Sequence, residues 1–257
     1  MIINKCSGLE FYQFSSLELP GLTQAVFSRH GGSSPTPWKS LNLGGTVGDD
    51  PSRVAENLAR LVGCVGYRTG DLVQVRQIHS AEVILANEPM DAIKQGDAII
   101  TNTTGLLLLM RFADCVPILL VDRVKKAVGI AHAGWQGTVK EVSYHAVRAM
   151  QTHFGSDPSQ ISAGIGPSIG PDHYYVQDDV IARVKQAFPQ QFDAIITQDA
   201  DGVKLDLWKA NMFSLQRAGV EDIEVSRICT ACHPRHWFSH RGEQGKTGRF
   251  GAVIGIK

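Results

Sequence analysis

Residues 113–135 read ADCVPILLVDRVKKAVGIAHAGW, two apolar segments on either side of a short charged turn. The charged residues Arg123, Lys125 and Lys126 between segments rich in β-branched residues predict a β-hairpin. If residues 123–126 form the loop, residues whose numbers add up to 249 face each other, so that Pro117 lies opposite His132. Side chains alternate with period two, and Cys115, Pro117 and His132 therefore point to the same face of the sheet.

This register brings a thiol and an imidazole together. Cys115 and His132 become diagonal cross-strand neighbours about 7–8 Å apart at their Cα atoms, close enough to share one metal ion. Sulfur and imidazole ligands suit zinc or copper far better than magnesium or calcium. The register matters, because a slip of one residue would send the two side chains to opposite faces. Pro117 cannot donate to the strand ladder, which predicts an edge strand or a bulge at that point.

The composition is that of an ordinary globular protein, with 43% hydrophobic and 19% charged residues among 257. Basic and acidic residues both number 25, and this balance gives no indication of general affinity for nucleic acids or membrane surfaces. The longest apolar stretch, 105–110, is far too short to span a bilayer. Five cysteines, together with an opening sequence unlike a signal peptide, predict reduced thiols and a cytoplasmic protein.

Hydrophobic periodicity and turn residues predict both strands and helices along the chain. Asp50 and Pro51 are predicted as the N-cap and first residue of a helix that Gly63 ends. Thr138 and Glu141 predict a capping box for the helix after the hairpin, which Gly155 ends. Further strands are predicted at 22–27, 72–75, 81–85, 96–101, 161–165, 223–228 and 252–256, and further helices at 178–188 and 206–218. Without strict βαβ alternation, the predicted class is α+β, with mixed β-sheets and flanking helices in a single compact domain over residues 1–257.

A catalytic zinc site usually has three protein ligands and one open position, so a third ligand is expected. His79, between two predicted strands, is the best candidate among the nine histidines. The other candidates that spacing leaves open are His30, His233 and His240. Asp114, next to Cys115, favours a functional site over a buried structural thiol, because a buried acid needs a partner.

A second motif, Cys229-Thr-Ala-Cys232-His233, matches the C-x-x-C-H pattern of haem attachment. It also fits half of a zinc site or a redox pair. The sequence has no second C-x-x-C pair and no export-signal pattern to accompany haem attachment. We therefore predict two buried structural cysteines here.

A series of short motifs spreads over nearly the whole chain. They are SRHGGS (28–33), NLG (42–44), VGDDP (47–51), QIHS (77–80), DA (97–98), DCVP (114–117), HAGW (132–135), GP (166–167), CT (229–230), FSHR (238–241) and TGR (247–249). Taken together and in this order, they resemble the YfiH or laccase-domain family. Its members were first labelled polyphenol oxidases and are now associated with purine nucleoside metabolism.

The resemblance implies a metal held by His79, Cys115 and His132, with zinc as the usual ion and copper as an alternative. It also implies phosphorolysis of adenosine, inosine and methylthioadenosine to the free base and (methylthio)ribose 1-phosphate. Adenosine deaminase activity is implied as well, a reaction that other zinc sites with His and Cys ligands perform. The expected partners are purine nucleosides and phosphate, without nucleic acid or membrane, and the expected state is a monomer or small homo-oligomer.

Phosphorolysis needs a phosphate near C1′ of the ribose, and cations are the obvious clamp. The predicted substrate- and phosphate-binding residues are Arg29, Asn42 and Arg249, and the predicted catalytic residues are Cys115, Asp114 and Arg241. Asp114 is expected to act as a general acid or base, or to orient a ligand. Gln136 and Gly242 stand where the family commonly has basic residues, which reduces the cationic character expected near the metal.

Other functions use the same residues. A copper-dependent polyphenol oxidase would need redox-active copper, and a lone His-His-Cys site argues against a multicopper relay. A cysteine hydrolase would use Cys115 as the nucleophile with His132 or His79 as the base. The resemblance also allows an amidase that acts on cell-wall precursors. A purely structural zinc would usually have four protein ligands.

Overall fold

Two six-stranded sheets and one three-stranded sheet form the frame of the protein in a computed structural model, which describes residues 1–89 and 93–257. The strands are β1 (Ile2–Cys6), β2 (Leu9–Gln13), β3 (Leu22–Phe27), β4 (Leu72–Gln74), β5 (Val83–Leu85), β6 (Ala98–Thr101), β7 (Leu107–Phe112), β8 (Val116–Asp122), β9 (Ala127–Ala133), β10 (Ile161–Ile165), β11 (Tyr175–Val176), β12 (Ile196–Asp199), β13 (Gly202–Leu205), β14 (Asp222–Val225) and β15 (Phe250–Ile256). The helices are α1 (Pro51–Cys64), α2 (Trp135–Val139), α3 (Val142–Phe154), α4 (Asp178–Ala187), α5 (Phe192–Ile195) and α6 (Leu207–Arg217).

Both large sheets mix parallel and antiparallel pairs. The first has the strand order β1-β2-β3-β15-β7-β4 and the second β14-β10-β8-β9-β6-β5. The pairs β4–β7, β5–β6 and β10–β14 are parallel, whereas β8–β9 and β15–β3 are antiparallel. The predicted α+β class with mixed sheets and flanking helices is confirmed. None of the helices in the described parts of the chain combines the length and apolar character that a membrane span requires.

The large sheets pack face to face, and helices cover their outer faces. Alternate residues of β7, β8, β9 and β15, such as Met110, Leu119 and Ile130, fill the space between the sheets. The intervening residues, such as Leu120, pack outward with α3, α4 and α6. The outer face of the first sheet packs on α1 through residues such as Leu61. Each central strand is therefore apolar on both faces, which explains the continuous hydrophobic runs around the hairpin.

The hairpin has the predicted register. Pro117 pairs with His132 and Val116 with Ala133, and the Asp122 carboxylate closes the turn by accepting from the backbone N–H groups of residues 124 and 125 at 2.8 and 2.9 Å. The prediction of an edge or bulge at Pro117 is wrong, because β8 lies between β10 and β9. The proline is tolerated because the pairing between β8 and β10 ends at Ile118, the residue that follows Pro117 in the chain, so that Pro117 itself is not paired with β10.

Several predicted boundaries hold, whereas the capping box is wrong. Strands β3 and β10 have the predicted ends, and Asp50 caps α1 by accepting from Ser52 N at 2.8 Å. The helix after the hairpin is split into α2 and α3, with Glu141 between them at a φ of 58°. Thr138 lies inside α2, and its hydroxyl accepts a hydrogen bond from Asn211 at 2.9 Å instead of capping. Helix α1 runs one residue past Gly63, and the strand predicted to reach residue 228 ends at Val225.

The chain passes from the first large sheet to the second in two places that matter for the site. Residues 75–82 connect β4 to β5, and residues 113–115 connect β7 to β8. The two crossings meet, since His79 Nε2 and Cys115 Sγ are 3.9 Å apart. The end of β9, with His132, lies beside them because it pairs with the start of β8.

Candidate metal centre

Three donor side chains converge where the chain crosses between the sheets. The ligand atoms of His79, Cys115 and His132 all lie within 4.8 Å of one another. The two imidazole rings meet edge to face with their centroids 5.0 Å apart. A tetrahedral zinc site with bonds of about 2.3 Å to sulfur and 2.0 Å to nitrogen holds those atoms about 3.5 Å apart. The 3.9 Å between Cys115 Sγ and His79 Nε2 is close to that spacing, so the donor set fits one zinc- or copper-type ion.

One buried carboxylate orients both histidines. Asp97 Oδ1 is 2.9 Å from His132 Nδ1, which leaves Nε2 of that ring for a metal. The same carboxylate accepts from the backbone N–H groups of Ile78, His79 and Ser80 at 3.1, 3.1 and 2.6 Å. A carboxylate behind a histidine ligand is the usual partner that fixes ring orientation and raises ligand basicity in metal sites.

The backbone is adapted to bring the donors close. A Cβ atom on Gly134 would lie 2.7 Å from Cys115 Sγ and 3.1 Å from His79 Cδ2, so only glycine fits at this position. His79 and Asp114 both adopt positive φ, 57° and 80°. Non-glycine residues in this region cost of order 1–3 kcal/mol each and persist where the surroundings hold them, often at functional sites.

The same three groups polarise one another. Burial by itself would raise the pKa of the Cys115 thiol, but His132 and His79 lower it to about 6. Burial would lower the pKa of His132, but Cys115 and Asp97 raise it to about 9. Without metal, the pair is therefore a thiolate and an imidazolium at neutral pH, and the thiolate that a soft metal needs is already formed.

We expect the metal-free protein to show this low thiol pKa directly. After chelation, alkylation of Cys115 by iodoacetamide should rise with pH and reach half of its maximal rate near pH 6, because only the thiolate reacts. Replacing His132 by glutamine should move that midpoint upward, since the cation that lowers the pKa is lost. Mass spectrometry of the Cys115 peptide measures the rate. A midpoint near that of an ordinary thiol in the unsubstituted chain would contradict the assignment.

A pocket opens beside the three donors. Its polar side holds His79, Cys115 and Asp114, and its apolar walls come from Trp135, Ile169, Tyr174 and Leu207. Gln136 also lines it. Burial raises the pKa of the Tyr174 phenol, and the nearby Cys115 raises it further by a smaller amount, so the phenol stays neutral. An apolar pocket with a few convergent polar groups and perturbed pKa values is the usual form of a ligand site.

Asp114 is buried and tied to two segments. Its Oδ1 accepts from the Thr230 hydroxyl and its Oδ2 from the Arg241 backbone N–H, both at 2.6 Å. The Arg241 side chain donates to the Tyr175 carbonyl at 3.0 Å and lies 5.2 Å from the centroid of the Tyr174 ring. Asp114 therefore has the partners that a buried acid requires, and it fixes the backbone of Arg241 at the edge of the pocket.

Arg249 and Asn42 form a connected unit. Burial lowers the pKa of the Arg249 guanidinium, while the nearby negative charges of Cys115 and Asp114 act in the opposite direction. The Asn42 amide is buried, donates to Asp49 at 2.8 Å, and accepts from the Gly44 and Arg249 backbone N–H groups at 2.8 Å each. Asn42 thus braces the chain at Arg249, and the guanidinium is the part of this unit that lies near the metal donors.

Arg29 is engaged elsewhere. Its guanidinium lies 4.3 Å from the centroid of the Phe238 ring and forms an ion pair with Glu243 at 3.0 Å. It also donates to the carbonyls of Lys39 and Pro234 at 2.8 and 2.6 Å. These partners anchor the loop around Phe238, and Arg29 is not among the described residues that line the pocket.

The C-x-x-C-H motif differs from its prediction. Cys229 is buried, but Cys232 is exposed, so the prediction of two buried structural cysteines is wrong for Cys232. The histidine beside both thiols is His173, which comes from a distant loop, and not the adjacent His233. The turn is held by the Cys229–Ser168 bridge, which leaves Cys232 at the surface.

Two supporting residues were missed in the sequence. Asp97 belongs to the predicted strand 96–101 and to the DA (97–98) motif, but neither pattern assigns it a role, although it contacts two of the three donor residues. Lys140, whose ammonium donates to the His79 carbonyl at 2.7 Å, carried no signal apart from its position after the His-Ala-Gly-Trp motif. The signal that could have pointed to Asp97 is chemical, because a histidine ligand commonly places its second ring nitrogen on a carboxylate and the DA (97–98) motif offers one.

Comparison with known proteins supports one family assignment. Residues 23–257 match the model of the family described as multi-copper polyphenol oxidoreductase laccase. A purine nucleoside phosphorylase from Deinococcus radiodurans is 37% identical over 249 residues, which cover 97% of this chain and 94% of that protein. The crystal structure of YlmD from Geobacillus stearothermophilus has a TM-score of 0.92 and 34% identity, and covers 99% of this chain and 98% of that chain.

A second solved structure agrees with this assignment. The crystal structure of a hypothetical protein YfiH from Bacillus licheniformis has a TM-score of 0.91 and 32% identity and covers 99% of both chains. The resemblance seen in the sequence motifs is thereby confirmed. A family of this description implies a metal, and the His and Cys donors described above can hold one. The chain belongs to the multi-copper polyphenol oxidoreductase laccase family, which includes enzymes named purine nucleoside phosphorylase.

Proposed function

We propose that the protein is a zinc-dependent purine nucleoside phosphorylase that acts on adenosine, inosine and methylthioadenosine. The observation that carries this proposal is the convergence of His79, Cys115 and His132 beside a pocket with aromatic walls. The reaction forms a bond between a phosphate oxygen and C1′ of the ribose and breaks the bond from C1′ to the purine nitrogen. The products are the free base and the (methylthio)ribose 1-phosphate.

Arg249 and Arg241 are the residues that we assign to phosphate. The Arg249 guanidinium lies near Cys115 and Asp114, and its NH1 donates to the Gly248 carbonyl at 2.8 Å, which fixes its direction. The Arg241 backbone is held on Asp114 at 2.6 Å. Neither arginine is among the described residues that line the pocket, but each lies beside residues that do, Arg241 by Tyr174 and Arg249 by Cys115 and Asp114. Guanidinium groups suit a phosphate, because they offer charge-assisted and bidentate hydrogen bonds. We assign Arg29 and Asn42 to support of the surrounding loops, since their polar atoms already have partners there.

The apolar walls would hold the purine, with Trp135 and Tyr174 as the aromatic surfaces. Asp114 would act as a positioning residue for Arg241, because both of its oxygens already accept strong hydrogen bonds. A zinc ion held by His79, Cys115 and His132 would supply a Lewis acid with one open position. Asp97 would hold the His132 imidazole through Nδ1, and the backbone of His79, in the positions that this requires.

Adenosine deamination is the second reaction that we infer for this site. The supporting observation is the donor set itself, since one thiolate and two imidazoles resemble the His and Cys sets of zinc deaminases. We also infer that residues 1–257 act as one unit. Strand β15, near the end of the chain, pairs with β3 near its start, and Arg249 directly precedes β15.

A nucleoside panel tests this function. The purified protein should release ribose 1-phosphate and adenine from adenosine only when phosphate is present, and chelation should abolish the reaction until zinc is restored. Arg249→Gln should raise KM for phosphate about 10- to 100-fold, the loss expected for one hydrogen bond between charged groups. The matched control is Arg235→Gln, which removes an exposed arginine on another loop. It should leave the KM for phosphate and the KM for adenosine unchanged.

Product analysis by liquid chromatography separates the alternatives. Inosine formed from adenosine without phosphate indicates deamination, and oxygen uptake with a phenol and copper indicates the oxidase. Phosphate-independent release of base, or full turnover after chelation, would refute the proposal of a metal-dependent phosphorylase.

A further inference from the structure

A second group of metal-type donors lies outside the site described above. It consists of His173, Cys229 and Cys232, whose ligand atoms lie within 4.8 Å of one another. His173 Nδ1 is 3.5 Å from Cys232 Sγ and 3.8 Å from Cys229 Sγ. One ring nitrogen thus faces two thiols at once.

The spacing matches a single tetrahedral ion. Zinc with sulfur ligands at about 2.3 Å and a nitrogen ligand at about 2.0 Å separates sulfur from nitrogen by about 3.5 Å, close to the shorter of the two observed distances. Two cysteines separated by two residues, with a histidine from elsewhere in the chain, are a common ligand set for zinc. The nitrogen and two sulfurs therefore already have the arrangement that coordination would demand.

Local backbone structure builds this arrangement. Cys229 forms a β-bridge with Ser168, and its sulfur accepts a hydrogen bond from Gly170 N at 3.1 Å. His173 N donates to the Gly170 carbonyl at 3.1 Å, which turns the histidine back toward the thiols. A Cβ atom on Gly170 would lie 3.0 Å from Cys229 Cβ, so this close approach depends on glycine.

The group also touches the walls of the candidate active-site pocket. Thr230, next to Cys229, donates to Asp114 at 2.6 Å. Tyr174, next to His173, lines the pocket. An ion held between the two loops would therefore join the segment that supports Asp114 to the segment that carries Tyr174.

We propose that His173, Cys229 and Cys232 form a second site for a soft divalent metal of the zinc class, separate from the His79–Cys115–His132 centre. Three protein ligands leave a fourth position for water. The ion cross-links the loop at residues 166–174 to the turn at residues 229–232. A disulfide between Cys229 and Cys232 is the competing state of the same thiols, and it excludes metal binding.

Metal counting on the full-length protein tests the site. The protein is reduced, loaded with zinc, freed of excess metal and measured by plasma mass spectrometry. The expected content is two zinc ions per chain, falling to one in Cys232→Ser and in His173→Gln. The matched control Cys6→Ser removes a thiol from another part of the chain and should keep two. Circular dichroism checks that each variant is folded.

Cobalt gives a second readout that does not depend on activity. In a Cys115→Ser background, the thiolate-to-cobalt absorption should arise from the two sulfurs of this site, and adding Cys232→Ser should abolish it, because that variant no longer holds the ion there. One zinc per chain that is lost in Cys232→Ser but kept in Cys115→Ser would support this site and refute the proposed catalytic centre. A zinc content unchanged by Cys232→Ser and His173→Gln, or an oxidised Cys229–Cys232 pair in the zinc-loaded protein, would overturn the proposal.

Discussion

Replacing Cys115 by serine should remove one bound zinc per chain and lower phosphorolysis by more than about 100-fold. Loss of a group that merely orients a ligand already costs about 10- to 100-fold in affinity or activity, and Cys115 is proposed as a ligand itself. Its thiol, with a pKa lowered to about 6, is largely ionised at neutral pH. A serine hydroxyl remains protonated there and binds a soft metal poorly. Metal analysis and initial rates with adenosine and phosphate measure both losses.

The control for this variant is Cys64→Ser, which replaces another free and half-buried cysteine. That protein should keep its zinc and its turnover. The experiment also separates metal binding from a cysteine-nucleophile mechanism. Zinc should protect Cys115 from alkylation if the thiolate is a ligand, whereas a free nucleophile would react at the same rate with and without zinc. Unchanged turnover and zinc content in Cys115→Ser would remove the basis of the site assignment.

The hairpin could be predicted from the sequence because its information is local. The charged segment at residues 123–126 predicts the position of the turn. That position determines every residue pair between β8 and β9, including Pro117 with His132. The position of β8 in the interior of its sheet could not be predicted from local sequence. It depends on β10, which pairs with β8 from about 40 residues further along the chain, and hydrophobic runs do not specify such partners.

The convergence on His79 could not be derived from spacing. His79 lies in a crossing between two sheets, and its distance from Cys115 depends on how those sheets pack and not on any nearby periodicity. The family motifs supplied it, but the same motifs also marked Arg29 and Asn42. Motifs do not distinguish residues that face the pocket from those that support it. The contacts of Arg29 with Glu243 and of Asn42 with Asp49 make that distinction.

His173 shows the same limit at the second group of donors. The C-x-x-C-H motif suggests His233 as the partner of the two cysteines, because the residues are adjacent in sequence. In the structure the turn at 229–232 pairs with Ser168, and that pairing brings the loop with His173 to the thiols. Long-range pairing therefore decided which histidine joins the cysteines.

Replacing Asp97 by asparagine should test the role of ligand orientation alone, because it leaves all three metal ligands in place and changes only the carboxylate that contacts the two histidines. The asparagine amide has the same size as the carboxylate, but one of its two oxygens is replaced by an NH2 group. Donors that point to that oxygen in the unsubstituted protein then face another donor. These donors include Ser80 N at 2.6 Å and the Ser80 hydroxyl at 2.7 Å. Each buried donor left without an acceptor costs about 1–3 kcal/mol, so the free energy of unfolding should fall by roughly 2–4 kcal/mol. Zinc affinity should fall about 10- to 100-fold, because His132 loses the carboxylate on its Nδ1.

The same carboxylate should make the free energy of unfolding depend on pH, with lower stability in acid. Burial raises the pKa of Asp97, but hydrogen bonds from His132 and Ser80 outweigh it and hold that pKa well below its usual range. In the unfolded chain the carboxyl has a pKa of about 3.9. The stabilisation by Asp97 is therefore complete above that pH and is lost as the pH falls through the lower, folded-state pKa. Urea unfolding of the chelated protein should show a loss of stability below about pH 4 that is smaller in Asp97→Asn.

Asp122→Asn is the matched control for this variant, because Asp122 is also fully buried and accepts two backbone N–H bonds in the hairpin turn. It should lower the free energy of unfolding but leave zinc affinity unchanged, since the turn lies at the opposite end of β8 and β9 from Pro117 and His132. Equal losses of zinc affinity in the two variants would mean that the effect of Asp97 is one of general stability. A selective loss in Asp97→Asn would instead establish that this one carboxylate holds two histidines, one from the crossing at residues 75–82 and one from the end of β9, in the geometry that a shared metal ion requires.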